Sequence, residues 1–263
     1  MRIAIIALSG HGKTSFMMSA LGNLIDKKLD GISVEIVNGS NVIDKKVIKT
    51  TYKRLKDGEP IDNTFTSHEF LVTLKIGFLF KKNLDLRWRD YPGGDMIDTT
   101  NIGKIKEWID RSDGAILLYD LSKHCEEQLG VLDLTIASVR SKVDMKPDYP
   151  VVFAMTKKDL VGSNVENSAR SALSIAGGFI HNQKSYAVTT KGFPDAHLAL
   201  IGILIMAIDC EVNIASQRLN KLNNQRPESI RDRLALRKSI KETMDQIEEY
   251  RKIRHALDRS QLA

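Results

Sequence analysis

The sequence predicts an α/β fold: a mostly parallel sheet with helices on both faces, plus a C-terminal α-helical extension. Three observations support this prediction. Short apolar runs at 2–8, 114–119 and 151–155 have the composition of buried parallel strands. Helical patterns separate these runs, which is the rhythm of βαβ units. After residue 210 the strand patterns stop, and apolar residues recur at three- and four-residue spacing.

The first part of the chain is predicted to contain strands that alternate with helices, followed by a β-hairpin. Its first elements are, in order, a strand at 2–8, a helix at 13–27, a strand at 32–37 and a helix at 41–55. The turn residues Asp57-Gly58-Glu59-Pro60 end that helix. Apolar residues alternate over 69–78 and again over 83–89, which predicts an antiparallel hairpin.

The second part continues the alternation and then becomes helical. Its predicted elements are a helix at 102–111, a strand at 114–119, a helix at 126–143, a strand at 151–155, a helix at 166–176, a strand at 185–188 and a helix at 194–210. These elements complete a predicted α/β domain over residues 1–210. Residues 213–224 and 228–259 are predicted as two further helices, which form an amphipathic extension over 211–263.

Composition is that of a soluble globular protein. The 263 residues are 42% apolar and 27% charged, which fits one large domain with an appendage. Two cysteines, Cys125 and Cys210, lie far apart and predict a reduced, intracellular protein. We find no signal-peptide pattern, and the longest apolar run, 198–208, is too short for a transmembrane segment. We therefore expect a cytoplasmic protein.

Charge is concentrated towards the C-terminus. The formal net charge is +6, and residues 211–263 contain 12 Lys/Arg and 8 Asp/Glu. A basic tail can bind nucleic acid or anionic lipid, but a solvated helix face has the same composition. Acidic and basic residues are interspersed, and Tyr250 is the single aromatic residue of the tail. This pattern argues against base stacking and hence against a nucleic-acid partner.

The most specific motif is Ala7-Leu8-Ser9-Gly10-His11-Gly12-Lys13-Thr14, which follows an apolar strand and opens a helix. It matches the phosphate-binding pattern G-x-x-x-x-G-K-[ST] except at Ala7. Glycines let the backbone curl so that successive N–H groups face one anion, and the helix N-terminus adds its dipole. Lys13 would contact the β- and γ-phosphates and Thr14 would ligate Mg²⁺. The predicted phosphate-binding residues are Ser9, Gly10, His11, Gly12, Lys13, Thr14, Ser15 and Gly93.

A second motif predicts the metal side of the site. Asp90 ends the strand over 83–89, where a carboxylate can hold Mg²⁺ through water. Gly93, three residues later, can donate its backbone N–H to the γ-phosphate and so link the following loop to the nucleotide state. The loop before the hairpin offers Thr64 and Thr66 as further Mg²⁺ ligands. We prefer Thr66 because it lies closer to the strand start.

A third motif, Thr156-Lys157-Lys158-Asp159, follows the strand at 151–155. The Asp159 carboxylate can accept two hydrogen bonds from guanine, at N1–H and at the 2-amino group. Adenine offers neither donor there, so the acceptor would stay unpaired and adenine would be rejected. The aliphatic stem of Lys157 can lie across the plane of the base.

Together, ALSGHGKT, DYPGG and TKKD resemble, in order and spacing, the small Ras-like GTPases of the translation-factor-related class. The resemblance covers residues 1–210. The extra helix at 41–55 followed by DGEPIDNTFT resembles a bacterial branch with an insertion before the first switch. The resemblance implies a P-loop GTPase fold, phosphate and Mg²⁺ binding by Lys13 and Thr14, switch motifs at Thr66, Asp90 and Gly93, and guanine recognition by Thr156, Lys157, Asp159, Val188 and Thr189.

One departure from that family concerns catalysis. The residue after Gly93 is Gly94, where the family usually has a water-positioning glutamine. Asp95 could orient a water, although its charge would oppose the γ-phosphate. We therefore expect slow intrinsic hydrolysis, with a partner supplying an arginine or polar group. The candidate catalytic residues are Lys13, Thr66, Gly93 and Asp95.

Three functions remain open at the level of sequence. The first is a GTP-dependent switch that binds GTP and GDP with Mg²⁺ and signals to an unidentified protein effector or regulator. The second is a scaffold that binds GTP with little hydrolysis and self-associates through 211–263. The third is an ATPase or kinase that uses the same phosphate loop, against which the Thr156–Asp159 motif argues.

Overall fold

A computed structural model describes residues 2–7, 12–26, 32–35, 45–59, 61, 68–76, 82–90, 99–122, 137–164, 167, 170, 174, 183–188, 195–227 and 229–262. The strands are β1 (Ile3–Ile6), β2 (Ile32–Glu35), β3 (His68–Ile76), β4 (Lys82–Asp90), β5 (Gly114–Asp120), β6 (Val151–Thr156) and β7 (Gln183–Ala187). The helices are α1 (Lys13–Asp26), α2 (Lys45–Lys56), α3 (Thr99–Asp110), α4 (137–145), α5 (Lys158–Val161), α6 (His197–Asn223) and α7 (Ile230–Leu262).

The strands form one parallel and one antiparallel group. Strands β1, β5, β6 and β7 are adjacent in that order, and every pair among neighbours is parallel. Strands β2, β3 and β4 are antiparallel, and the β3–β4 hairpin pairs His68 with Asp90 at one end and Ile76 with Lys82 at the other. Strand β4 lies beside β1. The predicted parallel sheet and antiparallel hairpin are confirmed.

Helices cover both faces of the parallel sheet, as predicted. Alternate side chains of a strand point to opposite faces, so each strand contributes to two cores. One core joins Ile5, Leu118 and Ala154 to buried residues of α1, α2, α6 and α7. The other joins Ile6 and Leu117 to α3 and α4. The fold is therefore α/β with a two-sided core, and a helical extension follows it.

Helix α2 ends where the turn residues predicted. Gly58 has a φ of 78°, a left-handed conformation that glycine adopts at little cost. The Glu59 N–H donates to the Arg54 carbonyl at 2.9 Å, and the Gly58 N–H donates to the Leu55 carbonyl at 3.1 Å. This pair of hydrogen bonds satisfies the last carbonyls of the helix in the Schellman arrangement.

Helix α6 differs from the sequence prediction. It runs unbroken through Cys210 and residue 213, so the predicted break between helices at 194–210 and 213–224 is wrong. Asp209, Glu211 and Asn213 make this stretch polar and none of them is buried, yet Ala215 beyond them is buried. Tertiary packing therefore continues across the polar stretch.

By length and composition α6, with 27 residues, is the one helix among the described residues that could cross a membrane. Its apolar side chains instead pack on the sheet. Ile201, Leu204 and Ile208 are each at most 3% exposed and belong to the core shared with β1, β5 and β6. Burial against the sheet accounts for the apolar composition of this helix.

Helix α7 folds back along α6 and reaches the core of the domain. Ile253 and Leu257 are 7% and 1% exposed and join the core that contains α1 and the sheet. Arg254 Nε donates to Asp209 Oδ1 at 2.5 Å, which ties the two helices together. The C-terminal part of α7 is thus docked on the domain, and the division of the chain at residues 210 and 211 stays a prediction.

Candidate functional site

The carboxyl ends of four parallel strands meet at one edge of the sheet. The residues at these ends are Ala7, Asp120, Thr156 and Val188, and each has 0% exposure. In open α/β sheets, ligands bind outside this edge. The predicted phosphate and base motifs both begin here, since one follows β1 and the other follows β6.

The described part of the phosphate loop has the expected backbone. Gly12 has a φ of 80°, which favours glycine, and α1 begins at the next residue. The Gly12 carbonyl accepts the first helical hydrogen bond, from the Phe16 N–H at 2.7 Å. Lys13 is 7% exposed, and Thr14 and Ser15 are half-buried. Ser9, Gly10 and His11 lie outside the described residues.

Hydrogen bonds fix the ends of β5 and β6 and the residue after β7 relative to one another. Thr156 Oγ1 donates to the Tyr119 carbonyl at 3.2 Å, and the Leu121 N–H donates to the Thr156 carbonyl at 3.1 Å. The Val188 N–H donates to the Met155 carbonyl at 2.7 Å. Two predicted base-site residues, Thr156 and Val188, are therefore held by the strand ladder itself.

Lys157 has an unusual backbone conformation, with φ 59° and ψ 34° in the left-handed region. For a residue other than glycine, this backbone conformation costs about 1–2 kcal/mol of conformational free energy. Its Nζ donates to Asp120 Oδ2 at 2.6 Å, across from the end of β6 to the end of β5. The lysine is thus anchored at its backbone and at its ammonium group, so its stem has little freedom.

Asp120 is a residue of this edge that sequence reasoning missed. Its carboxylate is fully buried and accepts hydrogen bonds from Ser122, through the backbone N–H at 2.9 Å and the hydroxyl at 2.6 Å. Burial raises the pKa of Asp120, but the hydrogen bonds from Lys157 and Ser122 outweigh burial, and the net pKa is below the ordinary value. The sequence signal that could have identified it is a single aspartate at the end of an otherwise apolar strand.

Contacts with residues near the start of α6 and after β7 also hold the start of α5 in place. Lys158 Nζ lies 2.6 Å from Asp195 Oδ2, two residues before α6, and the Lys158 N–H donates to the Val188 carbonyl at 3.4 Å. Asp159 lies in the first turn of α5 and its side chain is exposed. The structure therefore holds the neighbours of Asp159 while leaving its side chain at the surface.

The remaining predicted site residues lie at the limits of the described chain. Asp90 is the last residue of β4, beside β1. Thr64, Thr66, Gly93, Asp95 and Thr189 lie outside the described residues. Within the part of the chain that is described, no group of three or more His, Cys, Asp or Glu side chains could hold a metal ion.

No protein-family model matches the sequence, nor does any curated protein. Among solved structures, the chain is similar to one from Plasmodium falciparum described as a candidate nucleolar GTP-binding protein 1, at 13% identity and a TM-score of 0.48. The similarity covers 85% of this chain and 94% of the other. This similarity is too distant to assign an activity.

Proposed function

We propose that the protein is a GTP-binding molecular switch that hydrolyses GTP slowly to GDP and phosphate and signals to a protein partner. One observation carries the proposal: the two nucleotide motifs follow β1 and β6, which flank β5 in the same parallel sheet. Two strand spacings separate these ends by about 10 Å. A nucleoside triphosphate laid along this edge would reach from one motif to the other.

The phosphates would bind at the start of α1. Gly12, Lys13 and Thr14 stand at a helix N-terminus, where free N–H groups and the helix dipole attract anions. Lys13 adds a full positive charge between the β- and γ-phosphates, and Ser9, Gly10, His11 and Ser15 complete the proposed cradle. Gly93 would donate its N–H to the γ-phosphate.

The base would bind between the ends of β6 and β7. The Lys157 stem is held by its ammonium contact with Asp120, which favours a fixed surface for the base to lie on. Asp159 is exposed beside it and can accept the two guanine hydrogen bonds. Val188 and Thr189 would contact the base from the segment after β7. These features support guanine over adenine as the bound base.

Mg²⁺ fits the proposed donor set. Thr14, Thr66 and Asp90 offer only oxygen ligands, and Mg²⁺ prefers oxygen and binds together with substrate phosphates rather than in a protein cage. A site of this kind needs no cluster of acidic side chains. When bound, the ion would neutralise charge on the phosphate oxygens.

Hydrolysis would be slow without a partner. Gly94 has no side chain to orient an attacking water, and Asp95 carries a charge of the same sign as the γ-phosphate. A partner that supplies an arginine or polar group would raise the rate. GTP would order the loops at Thr66 and Gly93, and the partner would bind that ordered state.

The proposal is tested by binding of fluorescent GTP and ATP analogues, with and without Mg²⁺. We expect wild-type protein to prefer GTP, and Asp159→Ala to weaken GTP binding by about a hundredfold because two charge-assisted hydrogen bonds are lost. Asp144→Ala, which removes an exposed carboxylate from α4, should bind as wild type does. Equal binding of both nucleotides by wild type and by Asp159→Ala would overturn guanine recognition.

A second candidate is a scaffold that binds GTP but hardly hydrolyses it, and Gly94 is the observation in its favour. Multiple-turnover phosphate release separates the two functions. Sustained release above the rate of a Lys13→Ala variant supports the switch. A single turnover or less, with tight GTP binding, supports the scaffold. Competition by ATP as strong as that by GTP would favour an ATPase or kinase instead.

A further inference from the structure

The net charge of the protein resides in one short segment. The 24 residues from Arg218 to Lys241 contain 8 Lys/Arg and 2 Asp/Glu, so their formal charge of +6 equals that of the whole chain. The other residues balance, with 31 basic and 31 acidic side chains. The segment comprises the end of α6, its connection to α7 and the start of α7. We refer to residues 218–241 as the arm tip.

The basic side chains of the arm tip face solvent. All eight are exposed: Arg218, Lys221, Arg226, Arg231, Arg233, Arg237, Lys238 and Lys241. Within the described part of the chain, Lys238 alone of these eight has an ion-pair partner, Glu242, at 3.9 Å. These charges therefore do not serve to hold the hairpin together, and they are available to an external anion.

Two large apolar side chains lie among these charges. Ile230 is 78% exposed and Leu234 is 62% exposed, and they lie one helical turn apart on the same side of α7. Their surroundings contrast with those of Ile253 and Leu257 on the same helix, which are buried in the core. Adjacent exposed apolar residues within a basic surface indicate an interaction surface.

We propose that the arm tip docks on the surface of an anionic lipid bilayer. Lys and Arg are attracted to anionic head groups, at about 1 kcal/mol for each side chain near the surface. Ile230 and Leu234 can enter the boundary between head groups and acyl chains, as apolar residues of interfacial helices do. The end of a helical hairpin is convex, and a fluid bilayer can accommodate a convex surface without a matching pocket.

Other occupants fit these observations less well. A second copy of the chain docked through its own arm tip would bring a charge of +6 against the same surface, and like charges repel. Nucleic-acid phosphates would satisfy the arginines but would leave Ile230 and Leu234 in water. The bilayer is the partner that supplies both negative charge and an apolar phase.

The experiment is sedimentation of the full chain with phosphatidylcholine vesicles, prepared with or without phosphatidylserine. We expect binding only to vesicles with phosphatidylserine. The double variant Arg231→Glu, Arg237→Glu should bind about thirtyfold more weakly or worse, because two attractive charges are lost. Ile230→Asn with Leu234→Asn should reduce binding about tenfold or more, because the apolar contribution is lost. Both pairs of residues are exposed, so the fold should be retained, which circular dichroism checks.

The matched control is Arg251→Glu with Arg259→Glu, which makes the same charge change at exposed positions of α7 outside the arm tip. We expect this control to bind vesicles as wild type does. The proposal is overturned by absence of binding to phosphatidylserine vesicles, or by an equal loss in the control. Wild-type binding by the Ile230, Leu234 variant would also overturn it, as would a concentration-dependent dimer that this variant abolishes.

Discussion

Charged side chains occur in two contrasting settings in this protein. At the carboxyl edge of the sheet, Asp120 is fully buried and lies 2.6 Å from Lys157, and Lys158 lies 2.6 Å from Asp195. At the arm tip, all eight basic residues are exposed. The first group consists of specific pairs, and the second consists of like charges gathered on one surface.

This difference indicates what each region does with its charge. A buried carboxylate must be paired, so the Asp120 contact determines where Lys157 lies and helps to maintain its left-handed backbone. Exposed charges with solvent around them add little to folding. Instead, together they create a positive electrostatic potential that attracts an anionic partner and that salt screens. Substitutions should therefore affect stability at the sheet edge and binding at the arm tip.

The largest effect on folding is expected for Asp120→Ala. The change removes the partner of Lys157 and the acceptor of both Ser122 hydrogen bonds inside a closely packed strand end. We expect the free energy of unfolding to fall by about 3 kcal/mol, the lower end of the range for breaking a buried pair, because Lys157 can still reach solvent. Urea denaturation followed by circular dichroism measures this loss.

The control for this change is Asp144→Ala, which removes an exposed carboxylate from α4. Its effect should be within about 0.5 kcal/mol. A similar small effect for both variants would mean that Asp120 contributes no more than a surface residue. The contrast between the two settings would then be wrong.

The same carboxylate should give a specific pH dependence. The pKa of Asp120 in the folded protein is below its ordinary value of 3.8, so its stabilising effect is complete above that value. The effect is lost as the pH falls below 3.8 through the folded pKa, because the protonated group no longer pairs with Lys157. Wild-type stability should therefore fall more steeply than that of Asp120→Asn as the pH is lowered below 3.8. Parallel curves in urea melts across this range would contradict the assignment.

A smaller effect is expected for the second pair at the sheet edge. Lys158 and Asp195 are 36% and 25% exposed at their side chains, so water screens their contact. We expect Asp195→Ala to lower the free energy of unfolding by about 1 kcal/mol. The loss should shrink in high salt, unlike the loss for Asp120→Ala. A salt-independent loss as large as that for Asp120→Ala would show that partial exposure does not weaken the pair.

Much of the fold was predictable because local signals agreed with the tertiary packing. The apolar runs of β5 and β6 are buried on both faces, and Gly58 ends α2 as its type and position predicted. The predicted break between residues 210 and 213 was wrong because polar residues interrupt the apolar pattern there without interrupting the helix. The Asp209 carboxylate accepts a hydrogen bond from Arg254, which is 45 positions away, and no local sequence pattern reveals that contact.

The candidate site was predictable where a motif specifies spacing. Gly12 and Lys13 stand at the start of α1. Thr156, which was predicted to follow the strand at 151–155, is the last residue of β6. Ser9 to His11, Thr66 and Gly93 lie outside the described residues. Asp120 was missed because its role depends on Lys157, 37 positions later. Only the pairing of β5 with β6 brings these two residues together, and a lone aspartate has no spacing signature.

The smallest effect on folding is expected at the arm tip. Arg231→Glu with Arg237→Glu should change the free energy of unfolding by about 0.5 kcal/mol or less, because both side chains are exposed and neither has a described ion-pair partner. At low salt the change should be slightly stabilising, because it relieves repulsion among eight basic residues, and added salt should remove the difference. Urea denaturation at low and high salt measures both effects. A loss above about 1 kcal/mol would show that these arginines hold the hairpin together, and the arm tip would then resemble the sheet edge rather than contrast with it.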